Sequence, residues 1–282
     1  MSPAATKPAT RRQNHGNGHS YVLDGTKVMG VTTIIGDGMP KPALINWAAG
    51  AVADWVADRV VVLPDEKVDA TRLVTGVQQL ASEDRKSMNG WSTSRAAQLL
   101  RGLPRRDRDA AANKGTRVHG LAEKLVHGED IEVPPELSGH VNAYLDFLEQ
   151  LDPEPVAVEG VVISRKYRYM GTFDLLAHID GLGLALLDIK TSRTGIFPET
   201  ALQIAAYRYA ESFLDADGNE VEMPPVDFTG AVWVRADGWD LHPVRADEAA
   251  FNQFRYCRET KKFVDAERGT WVQDPIHRGS LT

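Results

Sequence analysis

The spacing of apolar positions changes character part-way along this chain. Through the first half it is helical: Val118, Leu121, Ala122, Leu125 and Val126 recur three and four residues apart, which gathers them on one stripe of a helix. This spacing predicts helices over 42–59, 65–80, 92–101, 104–126 with a break at Gly115, and 135–151. In the second half, short apolar runs bounded by turn residues predict strands at 158–164, 170–179 and 184–191, and a hairpin from 229 to 244 turned at Ala236-Asp237-Gly238. Helices follow at 198–213, where Pro198 suits the first turn, and at 247–264. Near the start, Asp24-Gly25 between two short β-like runs signals another hairpin. Residues 1–20 show no apolar period and read as a disordered tail. The pattern predicts an α+β protein. An α/β-type core over 114–282, with a mixed central sheet flanked by helices, follows a mostly helical N-terminal part over 21–113.

Polar residues inside this pattern mark candidate chemistry. Asp174 lies in the first of two strands joined by Asp180-Gly181-Leu182-Gly183, and Asp188 and Lys190 lie in the second. Strand side chains alternate, so Asp188 and Lys190 project to one side while Leu187 and Ile189 project to the other. An acid and a lysine at the end of an apolar strand cost desolvation energy, and a divalent cation is the usual compensation for clustered carboxylates. An isolated Asp-x-Lys is more often an edge strand facing water, so the surroundings decide. His119 and Glu123 fall one turn apart on a helix, Glu159 leads a strand, and Gln203 and Tyr207 again fall one turn apart. The remaining histidines, His15 and His19 among them, lack motif context and read as surface or satisfied residues; Trp47 reads as core.

At 282 residues and 43% hydrophobic content the chain can bury a substantial core. No apolar run approaches the length of a membrane span and no secretory h-region is present, so a cytoplasmic protein without a membrane partner is expected. The single cysteine, Cys257, excludes an intrachain disulfide and a four-thiolate iron–sulfur cluster, and reads as a helix core residue. Net charge is −7, but from Arg85 to Lys124 ten Lys or Arg stand against three acids, which makes this segment +7. It runs into the helix carrying His119. Arg105, Arg106, Lys114 and Arg117 are thereby candidate contacts for a nucleic-acid strand, whose binding should weaken with salt.

The order of these elements resembles the RecB-like branch of the PD-(D/E)xK nuclease superfamily: a helix with His119, a strand with Glu159, Gly171-Thr172-Phe173-Asp174, Asp188-Ile189-Lys190-Thr191-Ser192, then Gln203-x-x-x-Tyr207. The resemblance covers roughly 114–213. Val31-Thr32-Thr33-Ile34-Ile35, Met39-Pro40 and Leu44-x-x-Trp47, together with the strand Gly230-Ala231-Val232-Trp233-Val234, are similar in layout to the mitochondrial genome maintenance exonucleases. The resemblance implies one or two Mg²⁺ or Mn²⁺ ions held by Asp174, Asp188, the Ile189 carbonyl and His119. Lys190 would hold the attacking water or stabilise the charge developing on phosphorus. Glu159 would serve a second ion or orient Lys190. Gln203 and Tyr207 would lie beside the site, and Thr191 and Ser192 would add phosphate contacts. The implied activity is hydrolysis of single-stranded DNA from its ends, in replication, recombination or repair. An endonuclease, and a non-cleaving recombination partner on the same fold, remain as alternatives.

Overall fold

The computed structural model describes residues 9–15, 18–59, 61–62, 68–69, 71–72, 75, 79, 95–126, 132–266 and 268–277. The chain divides into two compact units, Pro40–Lys114 and a larger one made of Met1–Met39 with Gly115–Thr282. In the smaller unit, α2 (Pro42–Ala57) has Pro42 in its first turn, and β4 (Val61–Val62) pairs with β5 (Val68–Asp69). That pairing excludes a helix starting at 65, although residues 71, 72, 75 and 79 are helical. Trp47, expected in a core, is 42% exposed. Arg85, Lys86 and Trp91 lie outside the described residues.

The larger unit holds two sheets. One runs in the order β1 (Arg11–His15), β2 (Gly18–Leu23), β3 (Thr26–Gly30), β8 (Tyr169–Thr172), β7 (Val161–Ser164), β11 (Ser212–Leu214) and β12 (Glu220–Glu222). The other runs β14 (Gly238–Pro243), β13 (Phe228–Arg235), β10 (Gly183–Lys190), β9 (Leu175–Ile179) and β6 (Glu154–Val158). This is the α+β class that the pattern predicts. One expectation fails at its N-terminal end: residues 11–15 and 18–20, read as a disordered tail, form strands.

The near-continuous apolar run of β10 is explained by burial on both faces, between antiparallel β9 and parallel β13. Leu184 and Leu186 pack against Ile34 of α1 (Val31–Gly38), Ile204 of α5 (Glu199–Arg208) and Phe254 of α6 (Glu248–Asp265). Ala185, Leu187 and Ile189 pack against Tyr144 and Phe147 of α4 (Ser138–Leu151) and against Val232 of β13. Asp247 caps α6 by accepting a hydrogen bond from the Ala250 N–H at 3.1 Å, and Cys257 is buried on that helix as expected. The helices expected at 92–101 and 104–126 are one, α3 (Arg95–Val126), with no break at Gly115. The glycine serves packing there, since a Cβ would lie 3.2 Å from Thr191 Oγ1. Among the described residues no helix is long and apolar enough to cross a membrane.

The strands expected at 158–164 and 170–179 are each interrupted once. The breaks, Glu159-Gly160 and Phe173-Asp174, lie opposite one another: the Glu159 N–H donates to Asp174 O and the Phe173 N–H to Gly160 O, both at 3.0 Å. One long hairpin therefore contributes β6 and β9 to one sheet and, beyond its waist, β7 and β8 to the other. Glu159 adopts the left-handed region with φ +51°, a conformation that costs a non-glycine residue on the order of 1 kcal/mol or more. Gly160 is required by contact, because any Cβ there would overlap the fully buried ring of Phe173. Gly160→Ala is expected to destabilise the protein by about 1–3 kcal/mol in urea titration, the usual cost of overpacking.

Candidate metal centre

The waist of the hairpin collects the charged residues. His119 from α3, Glu159 and Asp174 place one potential ligand atom each within 4.8 Å of one another. Asp174 is held from two sides: its Oδ1 lies 3.2 Å from His119 Nδ1, and its Oδ2 accepts the Ile189 N–H at 2.6 Å. The second bond ties the cluster to β10, the strand that carries Asp188 and Lys190. Alternation along β10 turns these two toward α5, where Gln203 and Tyr207 stand one helical turn apart.

Gln203 organises that side. Its Oε1 accepts from Lys190 Nζ at 3.1 Å, while its Nε2 donates to Asp188 Oδ1 at 2.8 Å and to the Tyr207 hydroxyl at 2.9 Å. These three contacts settle which way the amide points. Lys190 Nζ lies 2.5 Å from Asp188 Oδ2. The buried Asp188 carboxylate is thereby held by an ammonium at one oxygen and an amide N–H at the other, the pairing that a buried acid requires.

Burial and mutual charge set the protonation states. Burial disfavours the imidazolium of His119, but the charge and hydrogen bond of Asp174, with Asp188 and Glu159 beyond, outweigh it and push its pKa up to about 9. Burial, then the neighbouring Asp174 charge, raises Glu159 to about 7 against the pull of His119 and Arg12. Asp174 is buried too, yet His119, Lys190 and the Ile189 N–H hold it below the usual carboxylate range. Burial raises Asp188 despite Lys190. Lys190 itself is raised, because Asp188 and Asp174 outweigh the burial of its ammonium. Two carboxylates that repel and an imidazole drawn into charge between them make a donor set suited to a divalent cation.

The structure thus brings together His119, Glu159, Asp174, Asp188, Lys190, Gln203 and Tyr207. Within that group Glu159 stands with His119 and Asp174, while Asp188 is paired with Lys190 and Gln203 and the Ile189 N–H donates to Asp174. The Ser192 hydroxyl donates to the Gly195 carbonyl, and the Ser192 carbonyl accepts from the Trp233 indole at 2.8 Å. Arg117 pairs with Glu136 at 2.8 Å on the surface. Glu123 is exposed, and Thr191 is half-buried beside Gly115. Arg105 and Lys114 are exposed and Arg106 half-buried, all within the smaller unit.

Sequence reasoning missed three contributors from the first hairpin. Arg12 Nη1 lies 3.3 Å from Glu159 Oε2 and 3.5 Å from Thr172 Oγ1. The Tyr21 hydroxyl lies 3.0 Å from the same Thr172 oxygen and 3.1 Å from His19 Nε2. The usable signal was the Arg11-Arg12 pair ahead of the His15–Gly18 turn that joins β1 to β2. It was hidden because β1 is polar on both faces and so shows no apolar alternation.

No protein-family model matches the chain, and no curated protein matches it. Among solved structures, one titled "Crystal structure of SSO0001" shares 17% identity over 71% of this chain and 90% of that one, with a TM-score of 0.27, too low to bear on the fold or the site.

Cation binding here requires a neutral imidazole and an ionised Glu159, so protons held by either must leave. With His119 near 9 and Glu159 near 7, two protons are displaced below about pH 7 and one between about 7 and 9. The affinity for Mg²⁺ or Mn²⁺, followed by titration calorimetry, is expected to rise with pH. The rise should be about tenfold per unit above neutrality and steeper, toward about a hundredfold per unit, below it. An affinity flat across this range would contradict these protonation states.

Proposed function

We propose that this protein is a metal-dependent deoxyribonuclease of the PD-(D/E)xK type, hydrolysing phosphodiester bonds from single-stranded DNA ends. The observation that carries the reading is the convergence, at one hairpin waist, of a His119–Glu159–Asp174 cluster with the Asp188–Lys190 pair on the adjoining strand. The order of motifs along the chain supports it independently, and the basic segment before His119 supplies the charge that a polyanion requires. Exonuclease action and the single-strand preference rest on the likeness to the mitochondrial genome maintenance exonucleases.

His119, Glu159 and Asp174 would hold a Mg²⁺ or Mn²⁺ ion, with Asp188 paired to Lys190 on the adjoining strand. Such an ion supplies charge neutralisation on the phosphate and activation of water. Asp174, bonded to the Ile189 N–H, holds the cluster in register with β10. Lys190, kept protonated by Asp188 and Asp174, offers a fixed positive charge to the phosphoryl oxygens as negative charge accumulates there. Gln203 restrains Lys190 and Asp188 together, so the ammonium does not have to be reoriented when substrate arrives. Tyr207, its hydroxyl raised well above its ordinary pKa by burial, stays neutral and receives the Gln203 amide.

Purified protein with Mg²⁺ or Mn²⁺ is expected to shorten linear single-stranded DNA and to leave circular single strands intact. Lys190→Ala should lower kcat by about a hundredfold or more, the scale for removing one preorganised charge-stabilising donor, with little change in DNA affinity. Cleavage of circles would replace the exonuclease with an endonuclease. An active Lys190→Ala protein would remove the assigned role of the lysine.

A further inference from the structure

The first hairpin presents a polar face to the site. Arg12 stands directly across from Tyr21, and Asn14 across from His19, so all four side chains share one face of the β1–β2 pair. That face meets the metal cluster through Arg12, whose Nη1 contacts both Glu159 and Thr172. Arg12 is not closed off, since about a third of its side chain (31%) is exposed. Its Nε is buried with no hydrogen-bond partner among the described residues. The exposed part of the guanidinium makes only long contacts, through Nη1, so a small shift away from Glu159 and Thr172 would turn its fork of donors, Nε included, toward two phosphate oxygens. A buried donor left unmade is unfavourable unless something else completes it.

The contact with Glu159 tells what that something is. Glu159 also belongs to the cluster that suits a divalent cation. Once a cation draws on that carboxylate, a guanidinium and a cation face one another across it, and the repulsion is relieved by an anion placed between them. We propose that Arg12, supported by Thr172, forms the phosphate-binding side of the site. In this arrangement the hairpin guanidinium exchanges part of its hold on Glu159 for a backbone phosphate of the nucleic-acid strand when the cation is bound. This rests on the nuclease reading above. The Tyr21 hydroxyl, shared between Thr172 and His19, holds the Thr172 side chain toward Arg12 and keeps the face polar up to its exposed end.

The test separates phosphate binding from mere support of Glu159. Binding of a fluorescein-labelled single-stranded oligonucleotide is measured by anisotropy in Ca²⁺ over a series of salt concentrations, and Mn²⁺ binding is measured by calorimetry without DNA. Arg12→Ala is expected to weaken oligonucleotide binding tenfold or more. It should also reduce the slope of log Kd against log salt by about 0.7, the loss of one single-strand phosphate contact, while Mn²⁺ binds as tightly as in the wild type or more tightly. Arg12→Lys, which keeps the charge without the fork, should recover the salt slope but only part of the affinity. Oligonucleotide affinity within twofold of wild type in Arg12→Ala would overturn the proposal. Parallel loss of Mn²⁺ affinity would also overturn it, because Arg12 would then be a prop for Glu159. A wild-type protein that neither binds nor cleaves single strands overturns the nuclease reading itself. Wild-type cleavage with an unaffected Arg12→Ala protein overturns only the role of Arg12.

Discussion

The Asp174 carboxylate is the point on which the site depends. It is buried, it sits at the waist of a hairpin shared by two sheets, and each of its oxygens is committed to a different element: one to His119 on α3, the other to the backbone of β10. Desolvating an acid in this way is tolerable only because both partners are positive or donate toward it. Those partners in turn define where α3 and β10 must lie. Glu159, Asp188 and Lys190 take their places relative to that anchor. The left-handed backbone at Glu159 is local strain retained at a place where it aims a carboxylate.

A second layer of order comes from side chains that do no chemistry themselves. Gln203 makes three contacts with Asp188, Lys190 and Tyr207, so the charged pair on β10 is presented in one arrangement. Preorganisation of this kind shifts the cost of orienting charges from the reaction to folding. The aliphatic packing of Leu184 and Leu186 against α1, α5 and α6 holds the helix bearing Gln203 against the strand bearing Lys190.

Much of this was legible in the residues. The alternation of β10 identified the face carrying Asp188 and Lys190, the glycine-bounded turn placed Asp174 beside them, and the one-turn spacing of Gln203 and Tyr207 placed both against the pair. What the pattern concealed had specific physical causes. Glu159 was expected at a second ion or beside Lys190 rather than with His119 and Asp174, because the run 158–164 reads as one unbroken strand and hides the left-handed turn at Glu159-Gly160 that brings the carboxylate to Asp174. Gly115 looked like a helix break because a missing side chain gives the same signal whether it ends a helix or admits the close approach of Thr191. Arg12 looked like tail because an edge strand with two polar faces has no period in hydrophobicity, so only the pairing with β2 reveals it.

The two interruptions of the long hairpin constrain how this chain can vary in length. Glu159 and Asp174 meet because equal numbers of residues separate each break from the paired positions Val158–Leu175 and Val161–Thr172. Inserting one residue on either side of the waist would turn its alternate side chains to the opposite face and withdraw one carboxylate from the other. The hairpin tip is under no such restriction. Beyond Ser164 the chain turns back through residues 165–168, ending on Arg168 in the left-handed region, before Tyr169 re-enters the ladder. The tip is held instead by side chains, since Arg165 pairs with Glu220 and Asp24 and Tyr167 packs against Phe251, so an insertion there leaves the waist in register, whereas the waist can be changed only by compensating both strands at once.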